Sequence, residues 1–324
     1  MTNCDHKYID FIENENDFIS PPLKLIDWVD KNKNKLNWSL LSKHAISIDF
    51  LEKNIDKLNW YNISQNICAI PLIEKNITLI NWFGLSLNTS AIHILKNNKE
   101  NIDWFNLSQN KNAIKLLEEN RDKINWQILS KNPNAINLLK KNIEKIDWLF
   151  LSINLNAESI LKDNIEKINW YYVGINPNIE YLLKNYSYLL DSYFLSLNSN
   201  PKVIEFLKDN PNKIEWLNLS INPLGGKILK NNKHKIYWDI LSENYCKEAI
   251  ELLNDNQDKI DWFKISSNEN AIHLIEKNLD KIDWGRLSKN KNAIEILKNN
   301  QDKICWTSIT KNNSIFEIDY ETIK

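Results

Sequence analysis

The 324 residues carry 41 Lys plus Arg against 42 Asp plus Glu, a formal charge of −1, so the chain lacks the broad positive field that non-specific binding to nucleic acid or an acidic membrane requires. Hydrophobic residues make up 43% and aromatics 10%, which excludes a disordered chain and suffices for a continuous core. Four well separated cysteines, Cys4, Cys68, Cys246 and Cys305, form no C-x-x-C pair and no disulfide framework, the usage expected of an intracellular, cytoplasmic protein.

In chain order, residues 1–22 carry acids where a signal peptide needs a basic start and an apolar stretch. No apolar run along the sequence approaches the ~20 residues that span a bilayer, so a membrane is not an expected partner. Residues 1–22 include Pro21-Pro22, lack the pattern that follows, and read as an N-terminal cap.

From residue 23 a period takes over. Tryptophans stand at 38, 60, 82, 104, 126, 148 and 170, each 22 residues after the last, and again at 216, 238, 262, 284 and 306, with Ser192 in the intervening slot. Thirteen units result, covering 23–312. Ile or Leu lies two before the tryptophan (Ile102, Ile124, Ile146), Leu, Ile or Val three after it (Leu107, Leu129, Leu151), and Ser or Gly next (Ser108, Ser130, Gly174). Those offsets fit a short helix with one apolar face. Asp or Asn before most tryptophans (Asp103, Asn125, Asp147, Asp261) supplies an N-cap acceptor.

Asn six after the tryptophan recurs in every unit but the first, which has His44; asparagine there is expected to end the helix in the left-handed conformation. An A-I-x-L-L segment such as Ala113 to Leu117 follows, with Asn112, Asn134, Asn270 or Asn292 as its expected N-cap, and a second asparagine (Asn54, Asn76, Asn120, Asn142) closes it. Each unit is a pair of short helices that stacking must stabilise, so the fold class is all-α, an α-solenoid of about 13 two-helix repeats.

A leucine-rich repeat is the alternative, because Ile102, Phe105, Leu107 and Asn110 have its spacing. It would place every tryptophan outward and put Gln127, Asp239, Gly285 and Thr307 at a buried leucine position. The K-I-D-W-x-x-L-S-x-N-x-N-A-I-x-L-L-E-x-N cadence resembles the repetitive proteins of large nucleocytoplasmic DNA viruses such as the mimivirus group. That resemblance implies a viral protein acting in the host cytoplasm, with the virion as a further location, and implies no reaction.

Regularity breaks between 171 and 203, where Ser192 replaces tryptophan and two residues enter near Ser199-Asn200. A second insertion lies near Tyr245-Cys246. Residues 313–324 leave the cadence and read as a C-terminal cap.

The five histidines do not gather with cysteines or carboxylates, and Walker, G-x-G-x-x-G, G-x-S-x-G and H-E-x-x-H motifs are lacking. No catalytic residue, cofactor, metal or small-molecule substrate is therefore expected. The tryptophan ladder reads as core packing. Lys140, Lys162, Lys184, Lys208 and Lys230 share one slot in five successive units and could form a stripe for nucleic acid, although Asp163, Asp209, Glu144 and Glu166 dilute it. Tyr61, Phe83, Phe105, Tyr171, Tyr193 and Phe263 follow the tryptophan slot as a discontinuous ridge.

Tyr171, Tyr172, Tyr181, Tyr186, Tyr188 and Tyr193 crowd the unit that lacks tryptophan and are the candidate partner-binding residues, since tyrosine is enriched in binding hot spots. The expected function is a non-enzymatic scaffold for a protein partner. A self-assembling virion component and nucleic-acid binding along the lysines are the alternatives.

Overall fold

A computed structural model describes residues 23–45 and 47–320; the cap expected at residues 1–22 lies outside them. The described residues form twenty-six α-helices of four to nine residues interspersed with 3₁₀ turns, and two strands, β1 (Leu23–Leu25) and β2 (Phe316–Ile318). The chain is an all-α repeat, and the leucine-rich alternative falls because its strands are absent among the described residues. Each unit has a first helix opening at the tryptophan slot (Trp126–Ser130) and a second helix on the A-I-x-L-L segment (Ile136–Lys140). Leu129, Leu138 and Leu139 are fully buried between them.

The tryptophans themselves are half-buried, not core residues. They pack on the edge of the core, and in many units a lysine from the next unit covers the outer ring face, as Lys145 does over Trp126 at 4.6 Å and Lys167 over Trp148 at 5.0 Å.

Two polar ladders join the units. Ser130 Oγ donates to Trp126 O at 2.8 Å and accepts from the Asp147 N–H of the next unit at 2.9 Å. The asparagine six after each tryptophan reaches back: Asn154 Nδ2 donates to Ser130 O and Asn132 O at 2.8 and 2.9 Å, while its Oδ1 accepts from Asn156 N–H at 3.0 Å. No described residue has positive φ, so the left-handed reading of these asparagines is corrected: their backbone is extended and their side chains stitch neighbouring units.

The second asparagine, present in every unit but the one where Tyr186 takes its slot, instead donates to its own helix, as Asn120 Nδ2 does to Leu116 O at 2.8 Å. Asn112, Asn134, Asn270 and Asn292 are not N-caps either. Their Nδ2 groups donate to carbonyls of the preceding unit, for example Asn112 to Thr89 O at 3.0 Å. The N-cap role before the tryptophans holds, with Asp147 Oδ1 accepting from Phe150 N–H at 3.0 Å.

The stack does not end; it closes on itself. Asn37 N–H donates to Thr310 Oγ1 at 3.0 Å, the same bond that joins Asp147 to Ser130. Lys35 lies over Trp306 at 5.1 Å, as Lys145 lies over Trp126. Asn32 Nδ2 donates to Trp28 O at 2.9 Å, repeating Asn120 to Leu116. The helix Asp27–Asp30 is therefore the second helix of the unit whose first helix is Trp306–Ile309, with Trp28 and Val29 in the paired leucine slots.

The two halves of this composite unit are locked by β1 pairing antiparallel with β2 in the register Leu23↔Ile318, Leu25↔Phe316 and by Ile26 N–H donating to Ile315 O at 2.9 Å. Trp28 meets Trp306 edge-on at 6.4 Å. Residues 313–318 thus join the two ends of the solenoid rather than facing solvent as a cap. Thirteen first helices and thirteen second helices form a closed ring.

From Trp38–His44 to Trp216–Ile221 each first helix is in close backbone contact with the next, whereas most neighbouring second helices lie farther apart, some of them bridged by long side chains. Lys75 to Glu52 at 2.6 Å is one such bridge. The more closely spaced layer of a closed ring is the inner one, so the first helices line a central channel and the second helices form the rim. Gly84 helps this approach, since a Cβ there would sit 3.0 Å from Tyr61 O. The two insertions are absorbed by the rim, where Pro201–Asp209 and Lys247–Asp255 extend to nine residues.

Candidate protein-interaction face

On each first helix the residue three after the tryptophan slot points into the core, which turns the residues one and five after it away from the core and towards the channel. Eight of the thirteen units place a large apolar residue one after the slot, and all eight are open to solvent: Tyr61, Phe83, Phe105, Leu149, Tyr171, Tyr193, Leu217 and Phe263, from 41% exposed at Leu149 to 54% at Phe263. The ridge expected from sequence exists and includes two leucines. Tyr61 and Phe83 stack at 6.5 Å across one unit boundary.

From the Trp148 unit to the Trp216 unit the residue five after the slot is also aliphatic: Ile153, Ile175, Leu197 and Ile221. One helical turn separates it from the first, so four successive helices present a continuous apolar arc. Aromatic contacts thicken its middle, with Tyr171 against Phe194 at 4.9 Å, Tyr172 against Phe194 at 5.3 Å and Tyr193 against Phe194 at 5.1 Å. The aliphatic members were missed in sequence, although the i, i+4 pairing of Leu149 with Ile153 signals them.

The six candidate tyrosines divide between the layers. Tyr171, Tyr172 and Tyr193 belong to the apolar arc. Tyr181 and Tyr186 lie on the rim helix Glu180–Tyr186, where Tyr186 packs on Trp170 at 5.7 Å and Lys162 covers Tyr181 at 4.8 Å. Tyr186 fills the asparagine slot and covers Trp170 where a lysine does so elsewhere, because Leu189 stands in the lysine's place. Tyr188, 72% exposed, sits on the 3₁₀ turn Ser187–Leu189.

The channel face changes character past the Trp216 unit. Asp239 pairs with Lys264 at 3.3 Å, and Arg286 stacks over Phe263 at 4.1 Å. Lys289, Lys311 and Lys43 then occupy the position five after the slot in three successive units across the closure, all exposed and without an ion-pair partner among the described residues.

His44 lies beside two of these lysines. Burial first, then the charges of Lys43 and Lys311, hold its imidazole below the ordinary histidine range. Lys289 also bears on the Cys305 thiol, which is lowered chiefly by a hydrogen bond from Ser308.

The lysine stripe proposed for nucleic acid lies on the rim, where Lys162 pairs with Glu158 at 3.0 Å and Lys230 with Glu251. Among the described residues no three His, Cys, Asp or Glu gather as a metal site needs, and no helix is long and apolar enough to cross a membrane. No known family, curated protein or solved structure matches the chain.

Proposed function

We propose that the protein is a non-enzymatic, ring-shaped scaffold that binds a protein partner on its channel face. One observation carries this reading: half-exposed large apolar residues recur at one position around the inner layer, a concentration that monomeric surfaces rarely leave unpartnered. The rim offers no comparable stripe, being occupied by Lys–Glu pairs such as Lys75 with Glu52 and Lys291 with Glu269.

Nucleic acid is disfavoured, because from the Trp60 unit to the Trp216 unit Lys131 is the only cation at the channel-facing positions one and five after the slot, and a phosphate backbone needs a cation per few nucleotides. End-to-end self-assembly loses its means once the solenoid has no free ends. The viral origin suggested by the repeat cadence belongs to the same proposal and would put the partner in an infected cell.

Photocrosslinking residues placed at Leu217, on the channel face, and at Lys140, on the rim, test the reading in expressing cells. A protein captured from Leu217 and not from Lys140 supports it. Equal capture from both positions, or none from Leu217, removes it.

A further inference from the structure

We infer that the channel receives an amphipathic α-helix of a partner protein, apolar on one side and acidic on the other. This rests on the channel face being the binding surface and narrows it to one kind of occupant. Two chemistries face each other across the ring. The apolar arc is centred between Tyr171 and Tyr193, and the three unpaired lysines, Lys289, Lys311 and Lys43, are centred on the Trp306 unit, five and a half steps away in a ring of thirteen. That is close to half a turn.

The channel's dimensions suit one helix. Thirteen first helices at ~8 Å spacing set their axes on a circle about 33 Å across, and removing a helix diameter of about 10–12 Å leaves an opening of roughly 22 Å. A single helix of ~10–12 Å seated on the apolar arc leaves a gap of about 10 Å, which long lysine side chains meeting glutamates from the other side can bridge. The first helices, of four to seven residues, rise only ~6–10 Å, so the ring grips about one to two turns of its occupant.

The complementarity is specific in sign. Elsewhere on the channel face Lys264 is paired with Asp239 and Lys131 rests over the Phe150 ring at 5.7 Å, whereas Lys43, Lys289 and Lys311 have neither kind of partner among the described residues. They share one slot in three successive units, and the charges of Lys43 and Lys311 both bear on His44; an acidic occupant relieves the repulsion among them. A basic helix would worsen it.

The test is fluorescence anisotropy with the full chain and three probes: an 18-residue peptide with leucines at i, i+3, i+4 and i+7 and glutamates opposite, the same peptide with lysines for the glutamates, and a single-stranded oligonucleotide. Binding of the acidic peptide is expected to exceed that of the basic one by at least about tenfold and to weaken with salt. Lys43→Glu with Lys311→Glu should abolish that preference, and Ile175→Asp should weaken the acidic peptide by about tenfold at unchanged melting temperature.

Indifference to peptide charge, tighter binding of the oligonucleotide, or binding unaffected by the lysine reversals overturns the inference. So does binding seen only after removal of residues 1–22, whose five carboxylates would then mark that segment as the competitor for the channel. A partner crosslinked at Leu217 while the acidic peptide fails to bind would refute the helix and leave the channel reading standing.

Discussion

Two asparagines in one repeat, ten residues apart, should differ several-fold in what they contribute. Asn154 is 1% exposed and makes three hydrogen bonds, two of them into the preceding unit. In Asn154→Ala, Asn132 O keeps the Ala135 N–H at 3.1 Å, but Ser130 O and Asn156 N–H lose the partner that satisfies them. One buried carbonyl left unmade, Ser130 O, at ~1–3 kcal/mol, plus two bonds forgone at ~1 kcal/mol each because Asn156 is exposed, give about 3–5 kcal/mol.

Asn164 makes one side-chain bond, to Ile160 O at 2.9 Å in its own half-buried helix end, so Asn164→Ala should cost ~1 kcal/mol or less. In urea denaturation followed by circular dichroism, a slope of ~3 kcal/mol/M turns these into midpoint losses of about 1–1.7 M and about 0.3 M. Equal losses, or a larger one for Asn164→Ala, would show that the inter-unit amide ladder does not hold the ring together.

His44→Asn should restore the one missing rung and raise stability by ~1–2 kcal/mol through bonds to the preceding unit. Because His44 is held below its unfolded range, the unfolded chain takes the proton first as pH falls. Stability should therefore decline as pH drops below ~6.5 towards the folded pKa, and the substitution should flatten that part of the thermal-melt profile; an unchanged profile would separate His44 from the effect. Truncation after Asn312 removes β2 and the fully buried Ile315, and small-angle scattering should show a larger radius of gyration; an unchanged radius would contradict closure. Trp126→Ala should cost about 2–3 kcal/mol, below the ~3–5 of a fully buried aromatic, and Lys145→Ala ~0.5–1 kcal/mol. Equal thermal stability of wild type and Trp126→Ala would mean the ladder does no packing.

The period, the paired helices and the N-caps before the tryptophans were legible because each is written in local spacing: Trp126 to Leu129 to Ser130 is one face of one helix. Closure was not. It depends on how much closer the inner layer is spaced than the rim, a difference spread over every unit and marked by no single residue. The composite unit hid itself further, since Leu25 stands in the alanine slot and Trp28 in a leucine slot. The asparagines misled for a related reason. Their positions matched helix ends, but the acceptors that fix their conformation belong to the neighbouring repeat. On the candidate face the aromatic ridge could be read from sequence, whereas the facing of apolar and basic arcs exists only once the ends meet.

The composite unit also sets an order of events during synthesis. Its second helix, Asp27–Asp30, leaves the ribosome first, while its first helix, Trp306–Ile309, emerges some 280 residues later. At ~5–20 residues per second the nascent chain spends roughly 14–56 seconds as an open arc, with Trp28 and Val29 unshielded and the channel accessible from the side. A partner of the kind proposed, were its ends bulky, would have that interval to enter laterally. After β2 seats against β1 it can pass only lengthwise, so a complex formed on the nascent chain would be topologically captured and would outlast its affinity.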